Sequence, residues 1–158
     1  MSHKVFGKMD FCQFIDITDP CYNRDTWCRI NSLEIEPGEY ICIAEFTQDS
    51  RVRCLVITKD IECYENADAD KYIGEIGVDS GTAGFFNQQL NLNHDELDTV
   101  FGNLLLTENL FKKVYFSPNE EYGCCGFFSE SGYGDGGYPV YAHLNKNGIP
   151  DALEIRFA

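Results

Sequence analysis

The sequence predicts a mainly β (α+β) fold: an antiparallel sheet, sandwich or half-open barrel with one main amphipathic helix. Apolar residues alternate with polar ones over most of the chain, as in half-buried strands. Turn-forming pairs such as Pro37-Gly38 and Asn147-Gly148 separate these stretches. Only residues 93–110 show helical spacing. A run of strands with one helix favours a helix packed on a sheet.

The strands follow from period-two alternation. In residues 40–47, Ile41, Ile43 and Glu45 share one face of a predicted strand. Residues 51–58 are predicted to pair with it across a turn at 48–50. Further strands are predicted, in chain order, at residues 11–17, 72–78, 83–87, 112–116, 123–129, 139–144 and 152–157. The last two are expected to form a hairpin in which Asn147-Gly148 supplies positive φ values.

The helix prediction rests on capping and spacing. Asn93 can cap the first turn, and Glu96 three residues later completes a capping box. Apolar residues from Leu97 to Leu105 then recur at helical intervals.

Length and charge bound the function classes. A chain of 158 residues fits a single domain spanning 1–158. With 12 Lys and Arg against 26 Asp and Glu, the formal net charge is −14. Such a surface repels phosphates, so nucleic acid is excluded as a direct partner. It is compatible with a basic protein partner, or with simple solubility.

The expected compartment is the cytoplasm. No window approaches the ~18 apolar residues of a membrane span, and the first residues do not have the pattern of a signal peptide. In a reducing compartment the eight cysteines are expected to be mostly free thiols. Cys42 and Cys54 lie in apolar runs and are predicted to fill the core.

No metal or cofactor is predicted. Cys21 and Cys28 are too far apart in sequence for the close-spaced cysteine pair of a structural zinc site. The adjacent pair Cys124-Cys125 would face opposite sides of a strand.

The first candidate binding segment contains Asp16 and Asp19. The dipeptide Asp19-Pro20 is typical of a strand end followed by a turn. The two carboxylates could point at one cation or donor. The alternative is a local turn held by the aspartate side chain, with Trp27 buried nearby.

The second candidate is the turn Asp79-Ser80-Gly81. It resembles the Asp-Ser/Thr-Gly signature of aspartic proteases, in particular the retroviral-type half enzyme. That chemistry needs two carboxylates that share one proton. Because one such tripeptide is present, an active form would be a homodimer. The alternative is a strand-end turn in which Asp79 and Ser80 bond local amides.

The third candidate is the glycine-rich stretch 129–141, with Ser131, Tyr133 and Asp135. It matches neither a calcium loop nor a phosphate-binding loop. Tyr133, Tyr138 and Tyr141 either line a small pocket or form cross-strand aromatic pairs. We expect this stretch to meet the Asp79 turn at one end of the sheet, because sites are commonly built on such loops.

Several motifs together resemble one family of small uncharacterised bacterial proteins, classed as a domain of unknown function. They are Asp16-Ile17-Thr18-Asp19-Pro20-Cys21-Tyr22, Trp27-Cys28, Pro37-Gly38-Glu39-Tyr40, Val78-Asp79-Ser80-Gly81 and the segment 131–141. The resemblance spans most of the chain and implies no activity, cofactor or catalytic residue.

The function expected from these observations is binding. A small acidic protein with no convincing catalytic set suits an interaction protein, for instance an immunity-type protein that masks a basic toxin. The competing class is a hydrolase that uses Asp79 or Asp135. The oligomeric state is left open.

Overall fold

A computed structural model describes residues 2–22, 25–62, 69–87, 114–119 and 124–158. The predicted fold class is confirmed: the described residues form two antiparallel sheets. The strands are β1 Ser2–Phe11, β2 Phe14–Thr18, β3 Ile30–Glu34, β4 Gly38–Phe46, β5 Val52–Thr58, β6 Lys71–Val78, β7 Thr82–Asn87, β8 Val114–Asn119, β9 Cys124–Glu130, β10 Gly136–Leu144 and β11 Pro150–Arg156. The predicted helix at 93–110 lies outside the described residues.

The two sheets are open. The larger has the strand order β1-β4-β5-β11-β10-β6, and the smaller has the order β3-β2-β7-β9-β8. Within the described strands each sheet has different strands at its two edges, so neither closes into a barrel. No helix among the described residues is long and apolar enough to cross a membrane.

The core lies between the sheets and follows the predicted alternation. Tyr40 and Cys42 of β4 point inward and are fully buried, together with Phe85 and Phe127 of the smaller sheet. Ile43 points to the opposite face of the strand, the outer face of the larger sheet, and Ile41 packs against the same cluster, so these two residues share a face as predicted. Ile43 forms this second, smaller buried cluster with Cys54 and Val56. Both cysteines predicted to be core residues are therefore buried.

One predicted turn is confirmed and one is wrong in detail. The β4–β5 hairpin closes with a hydrogen bond from the Thr47 N–H to the Arg51 carbonyl at 2.8 Å. The β10–β11 hairpin does not use two positive φ values, because Gly148 has φ 76° whereas Asn147 is not in the positive region. Its loop is held instead by the Asn145 side chain, which accepts the N–H groups of Asn147 and Ile149.

Sheet membership explains how the loops gather. β6 and β7 are joined by the turn at 79–81, yet β6 pairs with β10 in the larger sheet and β7 pairs with β2 and β9 in the smaller. The chain therefore crosses from one sheet to the other at this turn. The strand registers bring the end of β2, the end of β9 and the start of β10 to the same end of the two sheets. We call the surface at this end, which carries Asp79 and Asp135, the acidic edge.

Candidate functional site

The two glycine-rich turns lie together, as predicted. Gly136 at the start of β10 is the register partner of Val78 at the end of β6. The Ser131 N–H donates to the Gly81 carbonyl at 2.9 Å, and the Ser131 hydroxyl donates to the Gly134 carbonyl. Because Ser131 is buried, it joins the two turns rather than offering a hydroxyl to a ligand.

Asp79 and Asp135 both lie at this edge and are both exposed. Asp79 follows Val78, and Asp135 precedes Gly136, the register partner of Val78. The two side chains therefore project from neighbouring strand ends. Neither carboxylate has a hydrogen-bond partner within the part of the chain that the structure describes. The pair is therefore available to an external cation or donor.

Asp19 is different, because its carboxylate is fully buried and saturated with donors. It accepts the Cys21 N–H at 2.8 Å, which forms the predicted local turn. It also accepts the N–H groups of Asp79 at 2.8 Å and Ser80 at 2.6 Å. The Ser80 hydroxyl completes the set at 2.8 Å and contacts Thr82. Asp19 thus positions the Asp79 turn and leaves no open position for a ligand.

Asp16 has its own partner, so the two aspartates do not converge on one group. Its carboxylate pairs with the Arg29 guanidinium at 3.0 Å, and both side chains are fully buried. It also accepts the Ser32 N–H at 2.9 Å. Arg29 in turn donates to the Tyr22 carbonyl at 2.6 Å. This ion pair fastens the second end of the loop 19–29.

The expectation that Trp27 is buried is wrong, since its side chain is 92% exposed. The neighbouring Cys28 occupies the position against the sheet: its carbonyl accepts the Gly77 N–H at 2.8 Å. A Cβ added to Gly77 would lie only 2.7 Å from the Cys28 sulfur. The smaller side chain therefore packs on the strand, and the indole is left on the outside of the loop.

The three tyrosines of the third candidate do not line one pocket. Tyr138 is buried, donates to the Gly134 carbonyl at 2.8 Å and packs edge-on against Phe157. Tyr141 points to the outer face and packs edge-on against Tyr72, a cross-strand pair of the kind predicted as the alternative.

Tyr133 is half exposed and lies under a cation. The Arg51 guanidinium stands 5.1 Å from its ring centroid. Arg51 also donates to the Gly132 carbonyl at 3.1 Å and pairs with Asp49. The loop 131–135 is thus held against the β4–β5 hairpin.

The pKa of the Tyr22 hydroxyl is affected by several groups at this edge. Burial raises the pKa of its hydroxyl, and the nearby Cys28 thiol and the carboxylates of Asp19 and Asp79 raise it further. Each of these groups disfavours a phenolate, so Tyr22 stays protonated and can act only as a neutral hydrogen-bonding group.

A second polar cluster, on the outer face of the larger sheet, was missed from the sequence. The side-chain ligand atoms of Glu45, Cys54 and Glu154 lie within 4.8 Å of one another. Arg53 lies 2.9 Å from Glu45, and Arg156 lies 3.3 Å from Glu154. Burial, followed by the two carboxylates, raises the pKa of the Cys54 thiol. The two carboxylates are each paired with an arginine, so their negative charges are balanced without a metal ion.

No family model, no curated protein and no solved structure matches the chain. The resemblance to a family of small bacterial proteins therefore stays a prediction. The protease-like hypothesis also stays a prediction, because it needs a two-fold dimer that brings two Asp79 carboxylates together.

Proposed function

We propose that this protein is a small acidic binding protein of immunity type, which masks a basic protein partner through the edge that carries Asp79 and Asp135. The setting that we propose is the cytoplasm, where thiols such as those of Cys12, Cys42 and Cys54 persist. The chain has a net charge of −14, and a basic partner would supply the complementary positive charge.

The observation that carries the proposal is the pair of exposed carboxylates on a rigid support. The Asp79 turn is held by the buried Asp19 carboxylate, and the Asp135 loop is held by Ser131. Two like charges on adjacent strand ends repel each other. A cationic partner removes that repulsion and gains attraction from both groups.

The arginines of this edge that the structure describes are already engaged. Arg29 is buried in its ion pair with Asp16. Arg51 is paired with Asp49 and lies over Tyr133. Neither one neutralises Asp79 or Asp135, so these carboxylates can attract charges from outside the molecule.

The test is capture of a partner from the source cells with three baits. The first is the wild type, and the second is the double variant Asp79→Asn/Asp135→Asn. The third is Asp10→Asn/Glu62→Gln, which removes the same charge from exposed residues at the opposite end of the larger sheet. We expect the wild type and the control to enrich the same basic protein, identified by mass spectrometry.

Three outcomes would contradict the proposal. They are failure to capture any protein, capture of an acidic one, and equal capture by the Asp79→Asn/Asp135→Asn bait. Because exposed charges are screened over about 8 Å at physiological ionic strength, raised salt should also release the partner. A captured protein that resists salt and binds through apolar contacts alone would count against an electrostatic mask.

A further inference from the structure

Trp27 is the feature that the proposed function does not yet use. It is the single tryptophan of the chain and is 92% exposed. The next most exposed aromatic side chain among the described residues is Tyr72, at 54%. Tryptophan is enriched in the central contacts of protein interfaces, where its large ring is buried by a partner.

The position of Trp27 is set by its neighbour in the chain. The Cys28 carbonyl is bonded to the Gly77 N–H, and Gly77 is the register partner of Gly137. Asp79 lies two residues beyond Gly77, and Asp135 lies two residues before Gly137. The loop that carries Trp27 therefore lies along the side of β6 that faces away from β10, and it contacts β6 two residues before Asp79.

A third carboxylate belongs to the same surface. A Cβ added to Gly137 would lie 2.3 Å from a carboxylate oxygen of Glu75, so the Glu75 side chain lies directly over that glycine. Glu75 is exposed. Glu75, Asp79 and Asp135 thus lie on or beside the two neighbouring strands β6 and β10, and the loop that carries Trp27 contacts β6.

The loop that presents Trp27 is fastened on both sides. Asp19 fixes its start through the Cys21 N–H, and Arg29 fixes its end through Asp16 and the Tyr22 carbonyl. A backbone that is already anchored near Trp27 reduces the conformational entropy that the loop loses when a partner covers it.

We propose that Trp27 receives an arginine side chain of the basic partner, with the guanidinium stacked on the indole, while the acidic edge that carries Asp79 and Asp135 attracts the positive charge of that partner. This proposal rests on the proposed function and names the group that the acidic edge recognises. A planar guanidinium can stack on an aromatic face and still donate to a carboxylate in its own plane.

The described part of the chain contains examples of this kind of contact. The Arg51 guanidinium lies 5.1 Å from the Tyr133 centroid, and the Arg156 guanidinium lies 3.7 Å from the Tyr141 centroid. Trp27 is the better cation acceptor by its ring type. Among the described residues no cation lies over it, so its face is available to a partner.

The choice of arginine over lysine gives the proposal a sharp test. An ammonium is a strongly hydrated point charge that cannot stack, whereas a guanidinium is weakly hydrated and flat. An electrostatic edge alone would bind oligoarginine and oligolysine of equal length almost equally. Stacking of a guanidinium on Trp27 should make the Kd of oligoarginine lower than that of oligolysine, by a factor of up to about ten.

The single tryptophan makes the measurement specific to this position. We would titrate the protein with oligoarginine, oligolysine and, as a negative control, oligoglutamate, and follow tryptophan emission and calorimetric heat together. Oligoarginine should shift or quench the emission at the concentration at which it binds, and oligolysine should bind more weakly with a smaller change.

Two variants separate this inference from the proposed function. In Trp27→Leu, calorimetry should show that the preference for arginine is lost while weak binding of both cationic peptides remains. In Asp79→Asn/Asp135→Asn both peptides should weaken, and the Asp10→Asn/Glu62→Gln control should bind as the wild type does. Since Trp27 is exposed, its replacement should leave the Tm unchanged, so lost binding could not be attributed to unfolding.

The failures are distinguishable. Suppose that cationic peptides bind equally to the wild type and to Trp27→Leu, and that the tryptophan emission of the wild type does not change on binding. The proposed contact between Trp27 and arginine is then wrong, while the proposal that the acidic edge binds a basic partner stands. If neither cationic peptide binds the wild type even at low salt, the proposed function itself is wrong.

Discussion

The buried carboxylate of Asp19 accepts both the backbone N–H and the hydroxyl of Ser80, a residue 61 positions later in the chain. This contact joins the end of β2, in the smaller sheet, to the turn that follows β6, in the larger sheet. The same carboxylate also accepts the N–H of Asp79. One side chain therefore sets the position from which the exposed Asp79 carboxylate projects.

Replacing Asp19 tests this link. In Asp19→Asn the amide keeps the carboxylate's shape but turns an NH₂ group towards N–H donors. Loss of charge-assisted hydrogen bonds to a buried group should lower the free energy of unfolding by about 1–3 kcal/mol. Urea unfolding gives the value, and the exposed Asp10→Asn should change stability little. An unchanged midpoint would mean that Asp19 does not hold the two sheets together here.

The ion pair between Asp16 and Arg29 predicts a larger effect. Arg29→Met leaves the Asp16 carboxylate buried without its partner, which should cost about 3–5 kcal/mol. The double variant Asp16→Leu/Arg29→Met removes both charges and should recover much of that loss. Equal destabilisation by the single and double variants would show that packing, and not the uncompensated charge, is what matters at this position.

Asp135→Asn should have the opposite sign in the free protein. The Asp135 carboxylate has no hydrogen-bond partner among the described residues and lies one residue from the Val78–Gly136 pair, beside Asp79. Removing its charge should therefore stabilise the unliganded fold by less than about 1 kcal/mol. Thermal unfolding at low salt would detect the rise, and high salt should abolish it. A loss of about 1–3 kcal/mol would show instead that Asp135 maintains the turn through hydrogen bonds.

Alkaline pH should weaken the fold. Burial raises the pKa of the Cys42 thiol from 9.0 to about 12. The folded state thus favours the protonated thiol, and this contribution is fully present below the unfolded pKa. It is lost as the pH rises from about 9 towards 12, because the unfolded chain releases the proton first. Chemical unfolding across that window should show the decline, and Cys42→Ala should decline less steeply. A stability that does not change with pH there would contradict the assigned burial.

Thiol reactivity provides an independent check on the same burial. Cys12 is exposed, whereas Cys42 and Cys54 are buried and have raised pKa values. Brief alkylation of the native protein at neutral pH should therefore modify Cys12 first and leave the other two unmodified until the chain unfolds. Peptide mass spectrometry would identify the modified positions. Early modification of Cys42 would mean that the β4 core is open to solvent.

Local alternation predicted most of the described strands but missed β1 and β3, and it could not assign strands to sheets. The alternation in 40–47 divided the side chains of β4 between two faces, but only the packing of the second sheet decides which face becomes the main core. The segments around the Asp79 turn were also predicted as strands. That β6 and β7 belong to different sheets depends on pairing with β10, β2 and β9, which no local pattern contains.

The meeting of the two turns could be predicted from the sequence, but the exposure and the bonding partners of the side chains could not. Glycine-rich turns beside strands indicated that the Asp79 and Asp135 turns meet at one edge. The exposure of Trp27 was not predictable, because apolar residue type favours burial and only the close approach of Cys28 to Gly77 displaces the indole. Asp16 and Asp19 are near in sequence, yet their different partners come from distant segments.

Gly77 provides the last prediction, since it controls where the Trp27 loop lies. A Cβ at this position would stand 2.7 Å from the sulfur and 2.9 Å from the Cβ of Cys28. Such contacts force the loop away from β6, and overpacking of this kind costs about 1–3 kcal/mol. Gly77→Ala should therefore lower the midpoint of unfolding, change the emission of the single tryptophan and weaken oligoarginine binding. The double variant Gly77→Ala/Cys28→Gly removes both clashing atoms and should recover part of each loss. If Gly77→Ala leaves stability and emission unchanged, the loop does not rest on β6 and the placement of Trp27 beside Asp79 is wrong.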